Sequence, residues 1–374
     1  MKATITDLKT FRSLLMVLKK NRASSGSLPI LTKTLIRTKN NVLEFIATDL
    51  EITKILRLEA DIEEEGSILV DLMALDKLVV KLKKIGGPVI LQDDPESENA
   101  NGLLSHSRIE SRLLGSPLDQ YPTFIEEVDS DPQIIDSEKL RAAFDSVSTY
   151  ISSDVSRQNL TGAYLTGNNV VATDGHRLRK VKVNNEVTFD DVIFPGKAVD
   201  ICEYGIKKLK VDVASYRYEK KEGDDGYVQI DFGPHTVTSK VIKGEFPDFS
   251  RTVPTPSEDD CVIKVSRDEI LEGISILEAL KGGQETRCRL KTNPFELYYS
   301  HVDTGEGTTP LTAIEQTGNE QNRTVYLNMN YLKAAVKDLT ANAITFRILD
   351  TLSPVTLTEE ENPEGITLVM PMKK

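Results

Sequence analysis

Ala172-Thr173-Asp174-Gly175-His176-Arg177-Leu178-Arg179 is the stretch that decides how the chain is read. It follows the apolar pair Val170-Val171 and places two turn formers, an imidazole and a guanidinium in four consecutive residues. A milder copy, Phe45-Ile46-Ala47-Thr48-Asp49-Leu50-Glu51, lies earlier. The two Ala-Thr-Asp triplets are 125 residues apart, about one third of the 374-residue chain, which is the signature of an internal repeat. A second landmark repeats at the same offset: Tyr121-Pro122-Thr123-Phe124 and Phe246-Pro247-Asp248-Phe249.

Working outward, apolar steps of three and four predict helices over 5–22, 73–84, 138–150, 196–208, 267–280 and 329–339, two per third of the chain. Thr6, Ser137 and Ser266 stand where N-caps belong. Alternating segments predict strands between the helices: 33–38, 42–48, 51–59 and 68–71 in the first third, 161–166, 169–173 and 178–183 in the second, and 343–350, 354–358 and 366–371 near the end. Acidic or Pro-rich linkers, Glu126 to Asp131 and Val253-Pro254-Thr255-Pro256, separate the thirds. The expected fold is α+β, with domains over 1–127, 128–254 and 255–374, each with two helices and mostly antiparallel strands. The third unit keeps the element order without an Ala-Thr-Asp triplet.

Apolar content of 39% and charged content of 28% suit a soluble globular chain, and no apolar run reaches membrane-span length. The charged N-terminus is unlike a signal peptide. Three scattered cysteines (Cys202, Cys261, Cys288) outline neither a disulfide framework nor a zinc site, which fits the cytoplasm. The net charge of −12 is unevenly spread. Residues 7–22 carry +4, 75–84 carry +3 and 196–210 carry +2, so an acidic chain has basic helices. Such a surface suits contact with a polyanion on one face, through phosphates and without base stacking. Lysines decorating solvated helix faces are the bland alternative.

Three readings of the central motif stand open. Asp174 orienting His176 would be catalytic, but no nucleophile elbow, nucleotide loop or metal-ligand spacing accompanies it. A tight turn with Gly175 at positive φ is structural. A binding site would present His176 and Arg177 at the rim of an apolar groove. The ending Leu368-Val369-Met370-Pro371-Met372-Lys373-Lys374, an apolar strand with two methionines, suits the third reading and equally a core strand.

Together with Leu28-Pro29-Ile30-Leu31, these motifs resemble the bacterial sliding clamp, the beta subunit of DNA polymerase III, in order along the whole chain. The resemblance implies a head-to-tail homodimeric ring of six similar domains around duplex DNA, a non-catalytic processivity factor for the replicative polymerase, with no cofactor and no metal. It implies a peptide pocket with Leu160, Thr173, Gly175, His176, Arg177 and Leu178 on one side. Pro247, Arg251 and Pro354 would complete it, with Leu368, Val369, Met370, Pro371 and Met372 closing it. The partners implied are the polymerase alpha subunit, the clamp-loader delta subunit, and other polymerases and repair proteins, all through short peptides inserting against Leu178, Val369 and Met372. DNA would be met by Lys19, Lys20, Arg22, Lys77, Lys81, Lys197, Lys207 and Lys208, and Ile276 with Leu277 would anchor the dimer. Lys373 stands where the family has arginine, Pro354 where serine is common, and 93–102 and 303–309 read as surface insertions. The departures keep open a paralogue serving a different polymerase; an enzyme using Asp174 and His176 is the competing class.

Overall fold

A computed structural model describes residues 1–22, 28–97, 101–183, 187–221, 226–318, 322–360 and 362–373. One element order runs through it three times. The first pass is β1 (Lys2–Ile5), α1 (Leu8–Lys19), β2 (Lys33–Lys39), β3 (Val42–Thr48), β4 (Ile52–Leu58), β5 (Asp61–Glu64), β6 (Ser67–Asp71), α2 (Leu72–Ile85), β7 (Val89–Asp93), β8 (Gly102–His106) and β9 (Ile109–Leu113). The second is β10 (Gln133–Asp136), α3 (Ser137–Ser148), β11 (Gly162–Gly167), β12 (Asn169–Thr173), β13 (Arg177–Lys182), β14 (Phe189–Pro195), α4 (Gly196–Leu209), β15 (Val213–Lys220), β16 (Gly226–Phe232) and β17 (His235–Lys240). The third is β18 (Cys261–Ser266), α5 (Arg267–Glu278), β19 (Arg287–Thr292), β20 (Phe295–His301), β21 (Gly305–Pro310), β22 (Ala313–Gly318), β23 (Thr324–Asn328), α6 (Met329–Lys337), β24 (Ala343–Ile348), β25 (Val355–Glu359) and β26 (Asn362–Val369). The α+β expectation holds.

Local chemistry explains the helix ends, and corrects three expected caps. Ile5 belongs to β1, so α1 starts later and Asp7 caps it, its Oδ1 accepting from Lys9 N and Thr10 N at 3.0 and 2.9 Å. Ser137 donates its hydroxyl to Val211 O, leaving Asp136 to accept from Lys139 N at 2.9 Å. Ser266 occupies the N-cap of α5 but makes no side-chain cap bond. On α1 the inward stripe is Leu8, Phe11, Leu14, Leu15, Val17 and Leu18, all buried. Gly86, at φ +80°, ends α2.

The chain divides into two compact units, Met1–Asp145 with Asn184–Lys243, and Ser146–Val183 with Gly244–Lys374. The first holds a five-stranded sheet, β5-β1-β7-β8-β9, and an eight-stranded sheet, β10-β15-β16-β17-β4-β3-β2-β6. In the latter, β17 of the second pass pairs antiparallel with β4 of the first. The second unit holds the run β11-β12-β13-β26-β25-β24-β18-β22 and the sheet β21-β20-β19-β23. Here β13 of the second pass pairs antiparallel with β26 of the third. Each unit therefore contains one sheet in which two successive passes join edge to edge.

Three further expectations change. Segment 303–309 is no insertion: β21 pairs along the length of β20, and Thr309 packs on Gly273 of α5. Of 93–102, residues 98–100 lie outside the described residues; Asp93 ends β7 and Gly102 begins β8. The C-terminal strand ends at Val369, and Pro371 interrupts the ladder beyond it.

Candidate functional site

The site is built where β13 meets β26. The turn joining β12 to β13 is held by Asp174: Oδ1 accepts from His176 N and Arg177 N at 2.9 and 3.0 Å, and Oδ2 from Arg177 Nε at 2.9 Å. Thr173 Oγ1 accepts from Gly175 N at 3.0 Å and donates to Arg177 O at 2.7 Å. Gly175 has φ +88°, and a Cβ there would lie 2.7 Å from Arg157 Nη1, whose Nη2 donates to Asp174 O at 3.0 Å. The expected glycine turn is present, with Arg157 as a brace that has no signature in the linear sequence.

Asp174 is fully engaged with backbone amides and Arg177, and it meets His176 through the main chain. Asp174 therefore holds the turn and does not orient the His176 imidazole. The cysteines are buried, and burial pushes Cys202 upward and Cys288 up to about 12, far from thiolate chemistry at neutral pH. Among the described residues no group of three or more His, Cys, Asp or Glu could hold a metal ion.

Below the turn, Leu178 pairs with Leu368 across β13 and β26. With Val171 they form a buried apolar cluster, covered by the half-buried Tyr164, Phe246, Phe249, Val253 and Ile366. Tyr164 and Phe246 stack at 4.8 Å with ring planes 2° apart, and Phe249 meets Tyr164 edge-on at 6.5 Å. Beyond β26 the chain stays tied down: Met370 N donates to His176 O at 2.8 Å and Met372 N to Tyr326 O at 2.7 Å. Met372 is exposed, while Met370 and Pro371 are half-buried. Val369 has no exposed surface and packs in the core of the third pass, so it supports the wall from behind. Leu160 is buried on a turn entering β11, Pro247 and Arg251 are exposed, and Pro354 is half-buried ahead of β25. Arg251 pairs with Asp248 at 2.9 Å.

Arg177 proves to be a clamp. Its guanidinium lies between the rings of Tyr150 and Tyr331, at 4.8 and 4.9 Å, and donates to Thr149 O. His176 is exposed and stacks on Tyr331 at 5.9 Å. Behind it Arg179 is buried, donating to Ser146 Oγ at 2.9 Å and Thr367 Oγ1 at 2.6 Å; burial lowers its pKa. Burial raises the pKa of Asp338, which accepts from Thr149 Oγ1 at 3.1 Å. Tyr150, in the turn after α3, and Tyr331, on α6, were not legible as site residues, because stacking partners far apart in sequence leave no spacing signal.

The other junction, β4 with β17, is an internal control. Asp49 Oδ1 accepts from Glu51 N and Ile52 N at 3.1 and 2.8 Å, Leu50 takes the left-handed conformation of Gly175 at φ +80°, and Lys240 N donates to Glu51 O at 2.9 Å. Lys54 stands at the place of Arg179, buried and donating to Leu18 O and Lys20 O; burial lowers its pKa to about 7. The backbone is the same, yet the cross-strand pair is Thr53 with Thr238 instead of Leu178 with Leu368. Leu35, paired with Ile46, stands at the place of Tyr164, paired with Val171. The cross-strand leucine pair is what distinguishes the β13–β26 junction from the β4–β17 junction.

Of the basic candidates, Arg22, Lys77, Lys81, Lys197, Lys207 and Lys208 are exposed. Lys19 is committed within the first unit to Asp76, a buried carboxylate that Arg12 also meets at 2.9 Å. Lys20 lies 5.6 Å over the Tyr204 ring. On α5, Ile276 is exposed but Leu277 faces the core at 1% exposure, which removes Leu277 as a surface anchor.

Residues 134–248 match the family model for the central domain of the DNA polymerase III beta subunit. The chain is 26% identical over 360 residues to the beta sliding clamp of Chlamydia muridarum and 26% over 365 residues to that of Pseudomonas aeruginosa, covering 93% of each chain in both comparisons. Solved structures share the fold: a sliding clamp from Bartonella birtlesii bound to griselimycin (TM-score 0.85, 22% identity, all of both chains) and one from Bacillus subtilis (TM-score 0.87, 19% identity, 100% of this chain and 99% of that one). Along its whole length the chain is similar to bacterial beta sliding clamps, and its residues 134–248 match the central domain of the DNA polymerase III beta subunit.

Proposed function

We propose that this chain is a non-catalytic processivity clamp, three clamp domains over 1–127, 128–254 and 255–374, two copies of which close head to tail around duplex DNA. Exposed Lys77, Lys81, Lys197, Lys207, Lys208 and Arg22 meet phosphates without reading bases, which leaves the ring free to slide. The free edges of β9 and β21 suit an antiparallel join between copies, as β4 joins β17 within the chain. Ile109 and Ile276, both exposed, are candidate apolar contacts at that join.

Partners dock short peptides on the β13–β26 junction. The observation that carries this reading is the contrast between the two junctions: on a shared backbone, one places the leucine pair Leu178 and Leu368 beneath Tyr164, Phe246 and Phe249, and the other places Thr53 and Thr238 at the same positions. Extended peptides take affinity from apolar side chains and register from main-chain bonds. Loading onto nicked circular DNA tests the clamp: the protein stays bound until the circle is linearised. A protein that is never retained on the closed circle overturns the reading.

A further inference from the structure

We infer that the outer face of the β19–β20–β23 sheet, beside the peptide site, receives the acidic flank of the docked peptide. This rests on the peptide reading above. The face holds a groove of about 410 Å³ lined by Glu285, Arg287, Arg289, Tyr298, His301 and Tyr326, among others. Its cations are pre-oriented by aromatic rings. Arg289 lies 4.2 Å over Tyr298 and Arg287 5.9 Å from the Tyr326 ring centre. Arg289 and Tyr298 are directly opposed across β19 and β20, and Arg289 and Tyr326 across β19 and β23. The result is one transverse row, Tyr326-Arg289-Tyr298.

Glu285, Glu296 and Glu306 stand near these cations, but they pair with them only loosely. Arg287 has no ion pair among the described residues, and Arg289 and Lys291 reach the same carboxylate, Glu296, only at 4.0 and 3.9 Å. Arg289 Nε is buried and makes no hydrogen bond there. Tyr298 OH donates to the carboxylate of Glu306 on the neighbouring β21. Guanidiniums stacked on rings and short of carboxylates present their N–H edges to an incoming carboxylate, the geometry that favours bidentate contact.

Continuity selects the occupant. Met372 N donates to Tyr326 O, so the chain that closes the peptide site runs onto the free edge of β23, and Arg289 stands one strand further in. Adjacent strands are about 4.8 Å apart, so the two spacings from Met372 to β19 are spanned by about three extended residues of a peptide, or by fewer with a long side chain. An acidic side chain one to three residues beyond the apolar core of the peptide reaches the row.

The test uses synthetic peptides with one apolar core, flanked at either end by Asp-Glu-Glu or by Ser-Gly-Ser, titrated by fluorescence anisotropy onto the intact protein and onto Arg287→Glu and Arg287→Ser/Arg289→Ser. For the intact protein one acidic flank should tighten binding about three- to tenfold at low salt, with the gain shrinking as salt is added. Both variants should lose the gain while binding the Ser-Gly-Ser peptide as the intact protein does, which also shows that they are folded. An acidic flank that gives no gain, or a gain that survives both variants, overturns the inference. Displacement of the acidic flank by short oligodeoxythymidylate at equal potency overturns it in favour of nucleic acid. A core that binds none of the proteins overturns the peptide reading itself and this inference with it.

Discussion

Alanine at Asp174, compared with alanine at Asp49, separates what the repeated turn does from what the site adds. Each carboxylate accepts two backbone amides, at 2.9 and 3.0 Å for Asp174 and at 3.1 and 2.8 Å for Asp49. Hydrogen bonds to a charged acceptor contribute about 1.5 kcal/mol or more each where water is partly excluded, and less at exposed turns, so losing two costs about 2 kcal/mol at either turn. Asp174 alone also holds Arg177, in a pair whose side chains are 16% and 14% exposed. That adds about 1 kcal/mol and releases the guanidinium from its place between Tyr150 and Tyr331. Hydrogen exchange reads the loss locally. The amides of residues 51 and 52 in Asp49→Ala, and of 176 and 177 in Asp174→Ala, should exchange about 30-fold faster, with the second turn faster by a further factor of about five. Peptide titration should show Asp174→Ala weakened about tenfold and Asp49→Ala unchanged. Equal losses of peptide affinity in the two variants would refute the assignment of function to the second turn, and unchanged exchange would refute the turn chemistry itself.

Other substitutions probe the remaining parts. Leu178→Thr with Leu368→Thr copies the Thr53–Thr238 pair into the site; peptide affinity should fall at least tenfold in anisotropy while DNA retention persists, and undiminished affinity counts against the apolar floor. Lys77→Glu with Lys81→Glu should make the dependence of log K for duplex DNA on log salt shallower by about two, and an unchanged slope removes α2 from the DNA-facing surface. Burial lowers Lys54 from 10.5 to about 7, so between those values the unfolded chain binds the proton more tightly and folding gains stability as pH rises. Thermal melts should therefore show the intact protein gaining on Lys54→Met from pH 7 to 10, and parallel profiles would place the lysine's ionisation outside the fold's stability.

Helix positions were legible because a buried stripe recurs every three or four residues, as Leu8, Phe11, Leu14, Leu15 and Leu18 do on α1. β1 was not: four residues are too few to show a period, and Ile5 fits the helical spacing as well as the strand. The turn residues were legible because the Thr-Asp chemistry is local, closed within a few positions of the chain. Pairing is where linear reading stops. The pair of Leu178 with Leu368, and of Tyr331 with Arg177, joins segments on different passes, and only the folded sheet places them together. The same limit misjudged Lys19 and Leu277. Each has the right residue type on the right helix, but Asp76 from α2 neutralises the first and the core of the third pass encloses the second.

The Leu50 and Gly175 positions carry this one step further. Both sit at φ near +80 to +90° in matching turns, where a side chain is disfavoured by about 1 kcal/mol or more. The first turn bears that strain in Leu50, which is 48% exposed. At the second a Cβ would lie 2.7 Å from Arg157 Nη1, so a side chain there would push that guanidinium aside. Glycine at 175 thus lets Arg157 stay in place and donate to Asp174 O. A glycine that first reads as a mark of turn geometry also, in the folded chain, makes room for the arginine packed against it. The first copy shows that the same turn can be made without glycine; what distinguishes the second is the set of side chains gathered around it.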